Sequence, residues 1–163
     1  PGSRLSDMVL NIDFAPLFLD YAGLPVPDGM QGVSFRENLR GHTPQNWRDS
    51  FYYRYWLHQI QRPAHFGIRT ERYKLIFFYG LPLGMPGAHE ETTPPAWEFY
   101  DLQTDPSEMR NAYNDPQYHD VIQDLKQRLK NLRQELGDLD TGRPRMQEVL
   151  EGHWDRGTSK DIP

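Results

Sequence analysis

The residues of this chain that could do chemistry are six histidines, a scatter of serines, and a run of bases interleaved with aromatic rings. Cysteine is absent, which excludes disulfides, thiolate metal sites and a cysteine-derived nucleophile within these residues. Ser3, Ser6, Ser34, Ser50, Ser107 and Ser159 lie in no G-x-S-x-G elbow, and no Gly-rich phosphate loop occurs, so each serine reads as a cap or a surface group. His42, His58, His65, His89, His119 and His153 include no pair at the H-E-x-x-H spacing that places two imidazoles on one helical face. His89-Glu90-Glu91 is a mildly suggestive ligand cluster that reads better as a solvated polar loop. Asp13 and Asp20 can be imagined as paired carboxylates, yet an N-cap and a surface acid are the better assignments. No catalytic and no metal-binding residue is predicted.

One stretch has a functional look. Ser50 to Tyr79 holds Arg54, Arg62, Arg69, Arg72 and Lys74 with His58 and His65, against the single acid Glu71. An otherwise acidic chain thus concentrates positive charge in one place, which favours anions. Tyr52, Tyr55, Trp56 and Phe66 are interleaved with those bases. A flat apolar ring beside charge-assisted donors suits a sugar carrying an anionic substituent. Nucleic acid could use the same materials. The third reading is a sheet whose aromatics are core and whose bases are its solvent face.

Composition narrows these readings. The net charge is −5 with 25% charged residues, so the chain is not a globally basic nucleic-acid binder. No run approaches the roughly 18 apolar residues that span a bilayer. Hydrophobic residues are 37%, aromatics 13% and mean hydropathy −0.81, so the apolar surface sits in a few large side chains. A chain of this size reads as one domain. The start at Pro1-Gly2-Ser3, with no Met and no basic-then-apolar leader, leads us to expect a piece of a longer protein.

The elements that must position these residues follow from periodicity. Asn11 or Asp13 can cap a helix in which Phe14, Leu17, Phe18 and Tyr21 form one buried face before Gly23 ends it. Ser34 can cap a short helix from Phe35 to about Arg40. Phe51–Leu57 reads as a strand, with Phe51, Tyr53, Tyr55 and Leu57 on one face and Tyr52, Arg54, Trp56 and His58 on the other, wetter one. Phe66–Thr70 and Arg72–Tyr79 form a hairpin turning near Thr70 and Glu71, and Trp97–Leu102 completes four antiparallel strands. Asp105-Pro106-Ser107-Glu108 has the form of a capping box that opens a helical turn. Pro116 to about Leu136 is a long helix with Tyr118, Val121, Ile122, Leu125, Leu129, Leu132 and Leu136 along one stripe, packed on the sheet. The fold class is α+β, a four-stranded antiparallel sheet packed by a long C-terminal helix.

Several strings together resemble the type I sulfatases. Asn11-Ile12-Asp13-Phe14-Ala15-Pro16-Leu17-Phe18-Leu19-Asp20-Tyr21-Ala22-Gly23-Leu24 is similar to their I-D-x-x-P-T-L-L-x-x-A-G-I/V segment, and Met30-Gln31-Gly32-Val33-Ser34-Phe35 to the M-Q-G-x-S-L after it. Gly67-Ile68-Arg69-Thr70-Glu71-Arg72-Tyr73-Lys74-Leu75-Ile76 resembles the G-V-R-T-x-R-Y-K-L-I hairpin. Trp97-Glu98-Phe99-Tyr100-Asp101-Leu102, then Asp105-Pro106-Ser107-Glu108 and Asn111, resemble the ending E-L-Y-D-L-x-x-D-P-x-E-x-x-N. All occur in family order, from about Pro1 to Leu136. Leu17 for Thr and Phe99 for Leu are packing changes.

The resemblance implies the C-terminal subdomain of an alkaline-phosphatase-like sulfatase. Residues 1–49 would end the catalytic-domain region, 50–136 would be the antiparallel sheet and helix, and 137–163 a polar tail. Family members hydrolyse sulfate esters with a formylglycine made from a C/S-x-P-S/A-R motif and hold calcium. Neither string is present here, so Ca2+ and formylglycine are expected in a missing N-terminal domain and this chain alone should be inactive. Its substrate-binding candidates are His65, just before Gly67-Ile68-Arg69-Thr70, then Trp56, His58 and Arg62. The expected partners are the N-terminal domain and a sulfated carbohydrate, with no nucleic acid and no membrane span, in the periplasm or outside the cell. An apolar patch around Phe14, Phe18 and Tyr52 should meet the missing domain. The alternatives are a free-standing sulfated-glycan-binding or interaction module, and a phosphodiesterase or phosphonate hydrolase fragment of the same superfamily.

Overall fold

The computed structural model describes residues 4–156 and divides them at Asp49 into two compact units. Ser3 and Ser159, and residues 157–163 of the expected tail, lie outside the described residues.

In the first unit one turn of 3-10 helix, Asn11–Asp13, leads into α1, Phe14–Tyr21. Pro16 sits in the first turn, where an amide is not needed. The helix stops where Gly23 takes φ 69° and the amides of Gly23 and Leu24 return to the carbonyls of Asp20 and Leu19. A short α2, Arg36–Leu39, follows. Asp13 stands at the N-cap position of α1, but its side chain makes no cap bond to that helix. Its buried carboxylate accepts from the amides of Leu10 at 2.7 Å and Val33 at 2.9 Å and from both terminal nitrogens of Arg48. Burial works against that charge, but the bonds from Arg48 and the two amides outweigh it and hold the carboxyl below the usual carboxylate range. Asp20 accepts from Ser34 Oγ at 2.6 Å and from Arg36 at 2.9 Å. The expected buried face of α1 is only partly so. Leu17 is buried, whereas Phe14 is 48% and Phe18 66% exposed.

The second unit is a meander of β1 (Ser50–Tyr55), β2 (His65–Thr70), β3 (Tyr73–Phe78) and β4 (Ala96–Asp101), antiparallel in that order. The β2–β3 turn is closed by Thr70, whose Oγ1 accepts from the amide of Tyr73 at 2.8 Å. Gly67 is required by close approach: a Cβ there would lie 2.5 Å from the Leu75 carbonyl oxygen and 2.9 Å from the Tyr53 hydroxyl. α3, His119–Glu135, enters through a 3-10 turn at Pro116–Tyr118 and lays Ile122, Leu125 and Leu129 on the sheet. They bury Phe66, Ile68, Leu75, Phe77, Trp97 and Phe99, each such side chain stabilising by about 1.5–3 kcal/mol.

Four expectations are corrected here. The face carrying Tyr52 and Arg54 is the helix-facing one, not the wetter one: Tyr52 packs on the core and the Arg54 side chain is 3% exposed. Arg54 tolerates that burial because Asp138 and Asp140 pair with it at 2.6 and 2.8 Å. No capping box forms at Asp105, since Glu108 reaches Lys74 instead and Asp105 accepts from the amide of Arg110 at 2.8 Å. The polar tail contains α4, Pro144–His153, whose Met146, followed by Trp154, is buried in the core. Tyr52 is partly buried against that core and is not part of an exposed patch.

Candidate functional site

At one end of the sheet the chain leaves β1 and enters β2 through residues 56–64, and leaves β3 and enters β4 through residues 79–95. His58 ties the two connections together. Its Nδ1 accepts from the amide of Ala64 at 3.1 Å, its Nε2 bonds the carbonyl of Glu91 at 2.9 Å, and its own carbonyl accepts from the amide of His89 at 2.8 Å. Gln59 and Arg62 pair backbone to backbone at 3.2 Å in both directions, and Gln59 Nε2 donates to the Gly87 carbonyl at 3.0 Å. At the base of the second loop Gly80 adopts φ 62° and its carbonyl accepts from Thr93 at 3.1 Å; a Cβ there would meet the Thr93 carbonyl oxygen at 2.2 Å. Both loops are therefore held by backbone pairs and by the side chains of His58 and Gln59 bonded to main-chain groups.

The structure brings His65 and Arg62 together on Tyr55. The Arg62 guanidinium lies 4.9 Å from the Tyr55 ring centroid, and the His65 ring stacks on the same ring at 5.4 Å and 24°. Phe78 adds a contact to His65 at 4.9 Å. His65 Nδ1 bonds the Pro63 carbonyl at 2.8 Å. Burial pushes the imidazole pKa down more than that bond raises it, which favours the neutral ring with Nδ1–H donating and Nε2 as a lone-pair acceptor.

The other two predicted residues sit beneath the loop. His58 is fully buried with both ring nitrogens used by main chain, so a direct sugar contact by its ring is replaced by a structural role. Trp56 is engaged by two guanidiniums, Arg54 at 3.6 Å and Arg143 at 4.6 Å from the ring centroid. Both arginines are anchored on the buried Asp140, which also accepts from Arg133 at 2.7 Å.

The concentration of bases is largely compensated by acids from outside the stretch. Arg54 pairs with Asp138 and Asp140, Arg72 with Asp101, and Lys74 with Glu108. Among the described residues Arg62 and Arg69 have no carboxylate partner. Arg62 is also one wall of an open cleft of about 550 Å³ shared with Gln59, Ile60, Gln61 and His89. Gln59, Gln61 and His89 were not legible as site residues from the sequence; the only signal was the polar cluster at His89. Among the described residues no three His, Asp or Glu side chains gather as a group that could hold a metal ion. No helix among them is long and apolar enough to cross a membrane.

This four-stranded antiparallel meander with its long helix matches the C-terminal part of sulfatases in sequence and in structure. A solved structure of a protein in complex with its substrate D-glucosamine-2-N,6-O-disulfate superposes with a TM-score of 0.63 at 36% identity, over 78% of this chain and 24% of that one. A phosphonate monoester hydrolase of Agrobacterium radiobacter superposes at 0.54 and 27% identity, over 76% and 24%. In sequence, an N-acetylglucosamine-6-O-sulfatase of Bacteroides thetaiotaomicron is 37% identical over 145 residues, 85% of this chain and 24% of the relative. The family model for N-sulphoglucosamine sulphohydrolase, C-terminal, matches residues 1–135, and the chain belongs to that family. It spans about a quarter of the length of these relatives.

Proposed function

We propose that the chain is the C-terminal part of an exported sulfatase acting on a sulfated amino sugar, and that it contributes sugar-binding loops rather than reactive groups. The observation that carries this is the paired loop end: Arg62 and the neutral His65 on one tyrosine ring, in a chain similar to an N-acetylglucosamine-6-O-sulfatase over 85% of its length. Arg62 offers a donor fork to an anion, and His65 Nε2 offers an acceptor to a sugar hydroxyl. Trp56 and His58 act as positioning residues under that loop. The nucleophile and the cation that sulfate-ester hydrolysis needs would come from the longer polypeptide, whose surface would cover Phe14 and Phe18.

The test is hydrolysis by the full-length gene product. Release of sulfate from N-acetylglucosamine 6-sulfate is expected. The similarity to a phosphonate monoester hydrolase favours a second reading, and phosphonate monoesters belong in the same assay. Phosphonate turnover without sulfate release would replace the first reading with the second.

A further inference from the structure

We propose that α4 and the Trp154 that follows it form a strap that undocks as a unit while the sheet stays folded, exposing Lys126 to water and releasing Trp56 from Arg143. The family model ends at residue 135, so the strap lies beyond what that match describes.

The strap is fastened by side chains. Among the described residues the backbone of 144–156 bonds only within that segment and to Arg143 just before it. Met146 and Trp154 are buried in the core, with the Trp154 ring 5.0 Å from Trp97, 6.1 Å from Phe77 and 6.4 Å from Phe66. At the far end of α4 three donors meet carbonyls that the helix's own amides leave unpaired. Trp97 Nε1 donates to His153 at 3.1 Å, the Tyr113 hydroxyl to Arg156 at 3.0 Å, and Lys126 Nζ to Trp154. At the near end Arg143 lies 4.6 Å from the Trp56 ring centroid and pairs with Asp140. These contacts can open together without breaking a bond of the sheet ladder.

Lys126 ties the docked state to proton binding. It is 3% exposed, and the oxygen its ammonium reaches is the Trp154 carbonyl, which leaves with the strap. Burial is the largest influence on its charge and works against it; Asp155, just after Trp154, works for the charge and Lys130, one turn along α3, against it. Tyr113, from the loop before α3, is held above the ordinary tyrosine range by burial and is neutral beside the ammonium. The docked lysine has its pKa pushed down to about 8, whereas the released one regains the ordinary lysine value. Undocking therefore takes up a proton between about pH 8 and pH 10, and it is suppressed as pH rises through that window.

The test is thiol labelling of a chain that has no cysteine of its own. Met146→Cys reports the strap, and Leu75→Cys, buried in β3, reports the sheet. Each rate is divided by that of the same cysteine in the urea-unfolded chain at the same pH. The strap cysteine should react at least about a hundredfold faster than the sheet cysteine. Its normalised rate should fall about tenfold from pH 8 to pH 9.5, and Lys126→Met should remove that fall. Trp56→Leu should raise the strap rate about threefold or more, whereas a Trp56 contact that survives undocking would raise the sheet rate alone. Exchange of the Trp97 indole proton, measured against the sheet amides in the unsubstituted chain, follows the same opening with no cysteine introduced. Equal normalised rates at the two cysteines, or an indole proton that exchanges no faster than the sheet, overturn the strap. A strap rate indifferent to pH, or a fall that persists in Lys126→Met, overturns the proton coupling, and an unchanged strap rate in Trp56→Leu overturns the link to Trp56.

Discussion

His58 and Glu91 are joined across thirty-three residues by a 2.9 Å bond from the buried imidazole Nε2 to the main-chain carbonyl. The bond makes two loops into one body at the end of the sheet where Arg62 and His65 stand. Removing the ring leaves the Glu91 carbonyl and the amide of the buried Ala64 without this partner, at a cost of about 1–3 kcal/mol. His58→Ala should lower the midpoint of chemical denaturation accordingly and speed hydrogen exchange at residues 86–91 and at Ala64 before the sheet amides exchange. Unchanged exchange in the second loop would show that the tie is dispensable.

Asp140 carries three arginines, Arg54, Arg133 and Arg143, while itself fully enclosed. Asp140→Ala should destabilise the second unit by about 3–5 kcal/mol, because Arg133 is left charged and buried and Arg54 keeps only Asp138. Arg54 and Arg143 flank Trp56, so the same variant should also change the fluorescence of a Trp56-only chain, and it should weaken sugar binding through the loop. A variant that keeps the Trp56 signal would show that the α3–α4 connection does not position the loop.

Acid should act through Asp101. The Arg72 side chain bonds its carboxylate at 2.7 and 2.9 Å, Tyr118 adds a third bond at 3.1 Å, and the Asp101 pKa is pushed down to about 2. A group whose folded pKa is depressed contributes stability that is present above its unfolded value and lost as pH falls through the folded one. Thermal stability should therefore fall between about pH 4 and pH 2. Asp101→Asn should be less stable at pH 7 and show a shallower acid limb. An unchanged limb would remove Asp101 from the account.

Lys126 predicts a rise at the other end of the scale. Its ammonium is buried over Trp97 at 4.7 Å and Tyr113 at 5.3 Å and donates to the Trp154 carbonyl, and burial pushes its pKa down to about 8. Between that value and the ordinary lysine value the unfolded chain holds a proton that the folded chain has released, so stability rises with pH across about 8 to 10. Lys126→Met should abolish the rise without loss of stability at pH 7. A flat wild-type profile over that window would contradict the assignment.

Much of the fold was legible because β-branched and aromatic residues flank a short polar break in the β2–β3 hairpin and the α3 stripe repeats at helical spacing. What was not legible has identifiable causes. β1 is aromatic on both faces, so alternation could not say which side meets the helix; Asp138 and Asp140, far along the chain, decide it by pairing with Arg54. The same acids, with Asp101 and Glu108, quench a basic stretch that looked free when read alone. α4 hid among polar residues, although Met146, Val149, Leu150 and Trp154 follow a helical pattern after Pro144. At the site, Arg62 and His65 could be named from the sequence, whereas Gln59 and His89 could not, because only the fold of two loops against each other makes them neighbours.

The central claim is that this chain holds and orients a sulfated sugar for a reaction whose active groups lie elsewhere in a longer polypeptide. Sulfate release from N-acetylglucosamine 6-sulfate, measured side by side for the full-length gene product and for the 163-residue chain, tests it most directly. Release by the full-length product alone is predicted. Release by the isolated chain, or none by the full-length product, would contradict it.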